Sequence, residues 1–370
     1  MGETLVDKAV LIPMSDGTRL AADIYRPSTE GKFPVIVERT PYNREESVIL
    51  RTKTPQFFAE RGFVFIVQDV RGRFGSEGTW YPFVDDGWGE NRDGFDTIDW
   101  IAQQPWCDGN VATAGGSYAG QTQMFLAPTR PPALKCCFVR EAAGDLAEQW
   151  CYRGGAFEWG FNLDWILRHG THSLRRQLRL LEQAVNADDS RFRGLPLGVG
   201  PEFSTPFDWI RDLLQRADDR AYWDRFNFEP RYPKIDVPIY HMAGWFDIFL
   251  DGSLRNFSGL QKKARSKKAR ASQKLIIGPW THGPTVSDPA FARYVGDMDF
   301  GDQALVDFNA EHLRWYDYWL RGGGTGVMEE ARVRYFLMGA NEWRGADRWP
   351  PLGAAPRRWY FREGKSNAAE

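Results

Sequence analysis

A chain of 370 residues exceeds one ordinary domain, and with 42% hydrophobic and 26% charged residues it has the composition of a globular protein, not a disordered one. A formal net charge of −2 excludes a chain built to hold nucleic acid or an anionic membrane surface. Its one basic run, Lys262 to Arg270, reads as a solvated helix end and loop. No uninterrupted apolar stretch reaches bilayer-spanning length. The first eight residues lack a positive segment followed by an apolar one, so no signal peptide and a cytoplasmic location are expected. The cysteines, Cys107, Cys136, Cys137 and Cys151, form no C-x-x-C pair and are expected as buried free thiols. On a strand, adjacent Cys136 and Cys137 would point to opposite faces.

Val10 to Met14 and Arg19 to Tyr25 read as two strands joined by the Asp16-Gly17 turn. Pro34 to Arg39 is a third strand, and residues 55–61 form a helix stopped by Gly62. Phe63 to Asp69 is an unalternated apolar run, suited to a strand covered on both faces. Residues 91–104 make an amphipathic helix with Phe95, Ile98 and Ile101 on one face. Val111 to Ala114 is a strand that breaks into Gly115-Gly116-Ser117-Tyr118-Ala119-Gly120. A helix from Gln121 to Ala127 and a strand from Leu134 to Val139 follow. This alternation predicts a mostly parallel α/β sheet with crossover helices. From about Asp145 to Tyr232 the pattern turns helical and polar with no strand-like run, which predicts an inserted helical cap. The sheet resumes at Val237 to Ala243, followed by a helix over residues 251–263, and continues at Lys274 to Gly278. A long amphipathic helix, Gln303 to Leu320, ends at Gly322-Gly323-Gly324, and Val333 to Met338 is the last strand-like run before Trp359.

The Gly-Gly-Ser turn between strand and helix is the pattern of a nucleophile elbow. A serine hydroxyl is a weak nucleophile that needs a base and N–H groups near the reacting carbonyl. The sharp turn brings strand and helix so close that its neighbours must be small, which Gly115, Gly116, Ala119 and Gly120 satisfy. Ala119 stands where the second glycine of G-x-S-x-G belongs. Among five histidines, His169 and His172 in the cap lack neighbouring cysteine or carboxylate ligands, so no metal site is expected. His241 in a strand and His312 in a helix read as structural. His282 follows a buried strand and lies at its C-terminal end, where open α/β sheets place their chemistry. Asp247, at another such end, is the acid expected to orient the imidazole, and nearby Asp251 is assigned to a helix N-cap. Ser117, Asp247 and His282 occur in the nucleophile–acid–base order of α/β-hydrolases.

Further residues join these three: Met14-Ser15-Asp16-Gly17, Arg39-Thr40-Pro41-Tyr42, Asp69-Val70-Arg71-Gly72 with Ser76-Glu77-Gly78, and Trp106-Cys107-Asp108-Gly109-Asn110-Val111. With Ala243-Gly244-Trp245-Phe246-Asp247 and Gly278-Pro279-Trp280-Thr281-His282, the chain resembles the cocaine-esterase and X-Pro-dipeptidyl-peptidase-like family of serine hydrolases, from about Ala9 to Phe361. That family also includes α-amino-acid ester hydrolases and some cephalosporin acylases. The resemblance implies an α/β-hydrolase fold with Ser117 as nucleophile, His282 as base and Asp247 as its orienter. It implies an oxyanion hole made by the Tyr118 backbone N–H and the Tyr42 hydroxyl, a phenol being neutral at pH 7 yet more acidic than an alcohol. Trp150, Trp245 and Phe249 are expected to line the substrate pocket, and Asp69 with Arg71 to form a structural ion pair beside it. No cofactor is implied.

In the amino-acid ester hydrolases a carboxylate cluster holds the substrate ammonium. The positions after the catalytic aspartate are here apolar Ile248 and Phe249, which disfavours amino-ester or aminopeptidase activity. The family also carries a C-terminal jelly-roll domain. The expected organisation is therefore residues 1–144 and 236–350 as the two parts of the hydrolase core, 145–235 as the cap, and 351–370 as the start of that jelly roll. Arg357 to Phe361 would be its first strand. The expected activity is hydrolysis of a small-molecule carboxylic ester through an acyl-enzyme, with no nucleic-acid or membrane partner. The alternatives are an amidase or β-lactam acylase on the same residues, or a chain inactive without its jelly roll. The surface which that domain would cover leaves room for a homo-oligomer.

Overall fold

The computed structural model describes residues 3–45, 54–169, 208–283 and 292–361. Ten strands form one sheet: β1 (Thr4–Pro13), β2 (Arg19–Pro27), β3 (Phe33–Thr40), β4 (Val64–Asp69), β5 (Cys107–Thr113), β6 (Leu134–Arg140), β7 (Ile239–Phe246), β8 (Lys274–Thr281), β9 (Val333–Leu337) and β10 (Glu342–Ala346). Their spatial order is β1-β2-β4-β3-β5-β6-β7-β8-β9-β10. From β4 through β9 every neighbouring pair is parallel. The two edges are closed by antiparallel pairs, β1 and β2 at one end and β10 at the other.

The unalternated apolar runs explain this. Along β3 to β6 successive side chains enter two different cores: Val35, Val37, Val111 and Cys137 one, Ile36, Ala112, Cys136 and Phe138 the other. Cys136 and Cys137 thus lie on opposite faces, and all four cysteines are free and buried. Helix α1 (Thr54–Ala59) and the long helix α7 (Phe308–Arg321) cover the second core, through Phe58, Trp315 and Tyr316. Helices α2 (Asp93–Ala102) and α3 (Tyr118–Leu126) cover the first, through Ile98, Ile101 and Met124. The architecture is therefore an α/β sheet with helices on both faces. Among the described residues no helix is long and apolar enough to cross a membrane.

Several expectations need correction. Helix α7 begins at Phe308, not Gln303, because the Asp307 carboxylate caps it by accepting the Ala310 N–H at 3.0 Å. Strand β10 went unread because it is a largely exposed, polar edge strand without an apolar signature. A two-stranded hairpin, Tyr152–Arg153 with Ala156–Phe157, interrupts the helical segment at the turn Gly154-Gly155. The rest of the described cap holds α4 (Trp159–His169), α5 (Asp208–Gln215) and shorter turns. His172 lies outside the described residues. Arg357 to Phe361 forms no strand, and Trp359 is 85% exposed, since an isolated strand has no edge to pair with. Helix α6 (Leu250–Lys263) starts before Asp251, which is a first-turn acid paired with Arg255 at 2.9 Å and not an N-cap.

Candidate active site

Ser117 sits between β5 and α3 with φ 57° and ψ −124°, a conformation that costs a non-glycine residue about 1–3 kcal/mol. Its N–H donates to the Arg140 carbonyl of β6 at 3.2 Å. A Cβ on Gly120 would lie 2.5 Å from that same carbonyl oxygen. The glycine displaced by one position in the motif is therefore the one that lets α3 close onto β6. A Cβ on Gly115, at φ 130°, would likewise meet the Ala119 side chain at 2.6 Å.

Three strand ends meet at this turn. His282, at the end of β8, places Nε2 2.9 Å from Ser117 Oγ and Nδ1 2.7 Å from Asp247 Oδ1. Asp247 follows β7, is buried, and also accepts the Phe249 N–H at 3.1 Å. The Tyr42 hydroxyl, just beyond β3, lies 3.5 Å from Ser117 Oγ and accepts from Trp165 Nε1 at 3.4 Å. The Tyr118 backbone amide acts on that same hydroxyl, so the two expected oxyanion donors lie near each other beside Ser117. Burial pushes the Tyr42 phenol up, which keeps it a neutral donor.

Two expectations fail here. The Trp245 indole donates to the Phe336 carbonyl of β9 at 2.7 Å and packs on Trp349, so it belongs to a separate core and not to the pocket. Side chains alternate along β7, and the residue that faces the site is reached only after the strand has turned. Asp69 pairs with Arg44 at 2.6 Å, whereas Arg71 pairs with Asp93 at 2.6 Å and Asp16 at 2.7 Å, so the expected Asp69–Arg71 pair does not form. Trp150 and Phe249 do meet, stacked at 4.7 Å, and Phe249 stands edge-on to the His282 ring at 5.1 Å. Trp150 and Trp165 also line an apolar pocket with Phe83, Leu146, Asn162 and Trp209.

Trp165, Arg73 and Glu141 carry no expectation from the sequence, and His169 is weighed there only as a metal ligand. Trp165 holds the Tyr42 hydroxyl. His169 packs its ring on Tyr42 at 4.7 Å, and burial lowers its pKa to about 3. Buried Arg73 donates to the Pro41 carbonyl at 3.0 Å and the His169 carbonyl at 2.8 Å, joining the Tyr42 loop to the cap. Glu141, one residue past β6, is buried with φ 52° and brings Oε2 to 3.9 Å from His282 Nδ1. Burial pulls the His282 pKa down, but the Glu141 and Asp247 carboxylates outweigh it and hold it above its ordinary value. The one available signal for Glu141 was an acid at the C-terminal exit of a buried strand. Ligand atoms of Glu141, Asp247 and His282 lie within 4.8 Å of one another, close enough to hold a cation. Both imidazole nitrogens are engaged, by Ser117 and by Asp247, so the arrangement fits a proton relay flanked by an extra carboxylate.

Known proteins resemble this chain in sequence and fold. Cocaine esterase of Rhodococcus sp. (strain MB1 Bresler) is 32% identical over 385 residues, taking in 100% of this chain and 64% of its own length. The chain thus spans less than two thirds of that relative. A crystal structure of an aminopeptidase from the marine sediment archaeon Thaumarchaeota archaeon shares the fold with a TM-score of 0.72 at 23% identity, over 95% of this chain and 60% of that one. An α-amino acid ester hydrolase does so with a TM-score of 0.71 at 22% identity, over 94% and 59% of the two chains. The model of the X-Pro dipeptidyl-peptidase (S15) family matches residues 16–284, a span that contains Tyr42, Ser117, Glu141, Asp247 and His282. The chain belongs to the X-Pro dipeptidyl-peptidase (S15) family.

Proposed function

We propose that this chain hydrolyses carboxylic esters of small molecules through an acyl-enzyme on Ser117. The observation that carries the reading is the continuous contact from Ser117 Oγ through His282 to Asp247, at 2.9 and 2.7 Å. His282 Nε2 takes the Ser117 proton as Oγ attacks the ester carbonyl. The tetrahedral oxyanion accepts from the Tyr118 N–H and the Tyr42 hydroxyl, donors already held in place by the elbow and by Trp165. Collapse breaks the acyl–oxygen bond, and the alcohol leaves with the proton that His282 returns. Water then gives its proton to His282 and attacks the acyl carbon, releasing the acid and restoring Ser117. Asp247 keeps Nδ1 protonated and stabilises the imidazolium formed in each half.

An ester is favoured over an amino-ester or peptide because the walls beside His282 are the rings of Phe249 and Trp150. No carboxylate lines the adjoining pocket among the described residues, so nothing there would hold a substrate ammonium. The name of the curated relative, an esterase, points the same way. The test is the intact mass of the full chain after a fluorophosphonate reagent, followed by turnover of aryl esters, anilides and β-lactams. A single adduct absent from Ser117→Ala, with esters turned over fastest, is the expected result. An adduct that survives Ser117→Ala, or none at all, overturns the proposal.

A further inference from the structure

Glu141 is a buried acid that a three-residue relay does not require. Strands β6 and β7 are parallel neighbours, with Arg140 paired to Met242, so both open onto the same edge of the sheet. Glu141 leaves β6 there and Asp247 leaves β7, and the two carboxylates face one imidazole. The backbone of Glu141 is held at φ 52° while its N–H donates to the Met242 carbonyl at 2.8 Å. A left-handed glutamate persists only where its surroundings over-determine it. Here the turn directs the carboxylate to the Gly283 N–H, which both oxygens accept at 3.3 Å, and leaves Oε2 3.9 Å from His282 Nδ1. Among the described residues Asp247 Oδ2, on the same acid that holds Nδ1, is buried with no hydrogen-bond partner.

We propose that Glu141 is a positioning residue for His282, a second carboxylate that shares with Asp247 the stabilisation of the imidazolium and takes over the Nδ1–H when Asp247 is removed. The inference rests on the triad reading above. The charged groups acting on the imidazole are Glu141 and Asp247, which favour its protonated form, and Arg140 of β6, which opposes it. Glu141 in turn is raised by burial and by Asp247, and lowered by His282 and Arg140. A carboxylate at this distance from a site that becomes cationic twice per turnover lowers the energy of each charged intermediate. Its hydrogen bond to Gly283 fixes the residue next to the base. These two roles are separable, because glutamine keeps the acceptor for Gly283 and removes the charge.

Glu141→Gln is therefore the informative variant. The acid limb of kcat/KM should move to lower pH by about one unit, the lower end for an opposite charge within a few ångströms. Asp247→Ala should cost about tenfold more activity in the Glu141→Gln background than in the native one, since the reserve acceptor is gone. An unmoved limb together with additive losses would reduce Glu141 to a support for Gly283 and overturn the proposal. Should Glu141→Gln fail to fold, Glu141→Asp withdraws the charge by one methylene, and a smaller shift in the same direction is expected. The pKa of His282, read by NMR of labelled histidine in Ser117→Ala and Ser117→Ala/Glu141→Gln, reports the same shift without a substrate. If fluorophosphonate fails to label Ser117, the hydrolase reading itself falls. If it labels Ser117 while the His282 titration ignores Glu141→Gln, only the role of Glu141 falls.

Discussion

Two sets of carboxylates differ in when their counter-charge exists. On the Tyr42 side of the sheet each acid has a fixed arginine: Asp23 and Asp69 have Arg44 at 3.0 and 2.6 Å, Asp93 and the exposed Asp16 have Arg71, and Asp86 has Arg39 at 2.9 Å. Around His282 the acids Asp247 and Glu141 face a cation that exists only while the imidazole holds the serine or water proton. Hydrogen bonding to Arg71 pulls the exposed Asp16 down to about 2, whereas burial raises Asp69 and Asp93 in spite of their arginines. The Asp247 and Glu141 carboxylates instead hold His282 above its ordinary value. On the proposed reading, carboxylates paired with arginine are scaffold, and those facing His282 take part in the chemistry.

Breaking each set should give opposite phenotypes. Ser117→Ala and His282→Ala should each lower kcat by roughly three decades or more, with no further loss on combination and an unchanged melting temperature. Arg44→Leu should do the reverse, stranding buried Asp69 while Asp23 keeps Lys8 at 2.6 Å, at a cost of about 3–5 kcal/mol in a denaturant melt. What activity remains should keep its native pH dependence. A stable Arg44→Leu chain with a displaced acid limb would mean that the arginine lattice belongs to the catalytic machinery.

Much of this was legible beforehand because the signals were local. Unalternated strands, the small residues around Ser117 and the acid and base after two strands each follow from contacts a few residues apart, and the structure brings Ser117, Asp247 and His282 together as expected. What escaped the sequence depends on register between distant strands. Whether Trp245 or Phe249 faces His282 depends on where β7 ends, and Asp69 meets Arg44 because two loops converge, not because Arg71 is near in sequence. Glu141 escaped for the same reason: its neighbour His282 lies on the far side of β7. The polar edge strand β10 carries no apolar signature to read.

Tyr42 tests where the two regions meet, since its loop is held by the scaffold while its hydroxyl faces Ser117. Tyr42→Phe should cost about 2–4 kcal/mol in kcat, the worth of one preorganised oxyanion donor, with KM and stability little changed. An effect on KM alone would make Tyr42 a pocket wall. The Trp165 N–H loses its acceptor in the same variant, so Trp165→Phe, which cannot donate to that hydroxyl, is the control. A much smaller kcat loss there assigns the larger one to the hydroxyl itself.

The smallest effect separates the two regions by pH. The proposed attack by Ser117 requires His282 to be neutral, and its pKa is raised, so kcat/KM should fall about tenfold per pH unit below a limb lying above the ordinary histidine value of ~6.5. Stability follows different groups. His241 and His312 are buried and His169 is half-buried against Tyr42, and loss of solvation lowers each to about 3. Between about 6.5 and 3 the unfolded chain binds protons that these folded histidines refuse, so stability declines as pH falls through that window. Asp86 acts in the opposite sense: burial raises it to about 6, so its neutral form favours the fold as pH falls through that value. His282, with its folded pKa raised, likewise stabilises the fold on the acid side and loses that contribution as pH rises through its folded value. The acid decline in melting temperature should therefore involve more than one proton, while the activity limb involves one. His241→Leu removes one of the three depressed histidines from the interior of β7, beside Gln273. It should flatten the acid slope of the melt by up to one proton, about 1.4 kcal/mol per pH unit, and leave the limb of kcat/KM in place. A limb that moved with His241→Leu would show that a scaffold histidine, and not His282 alone, governs the titration seen in turnover.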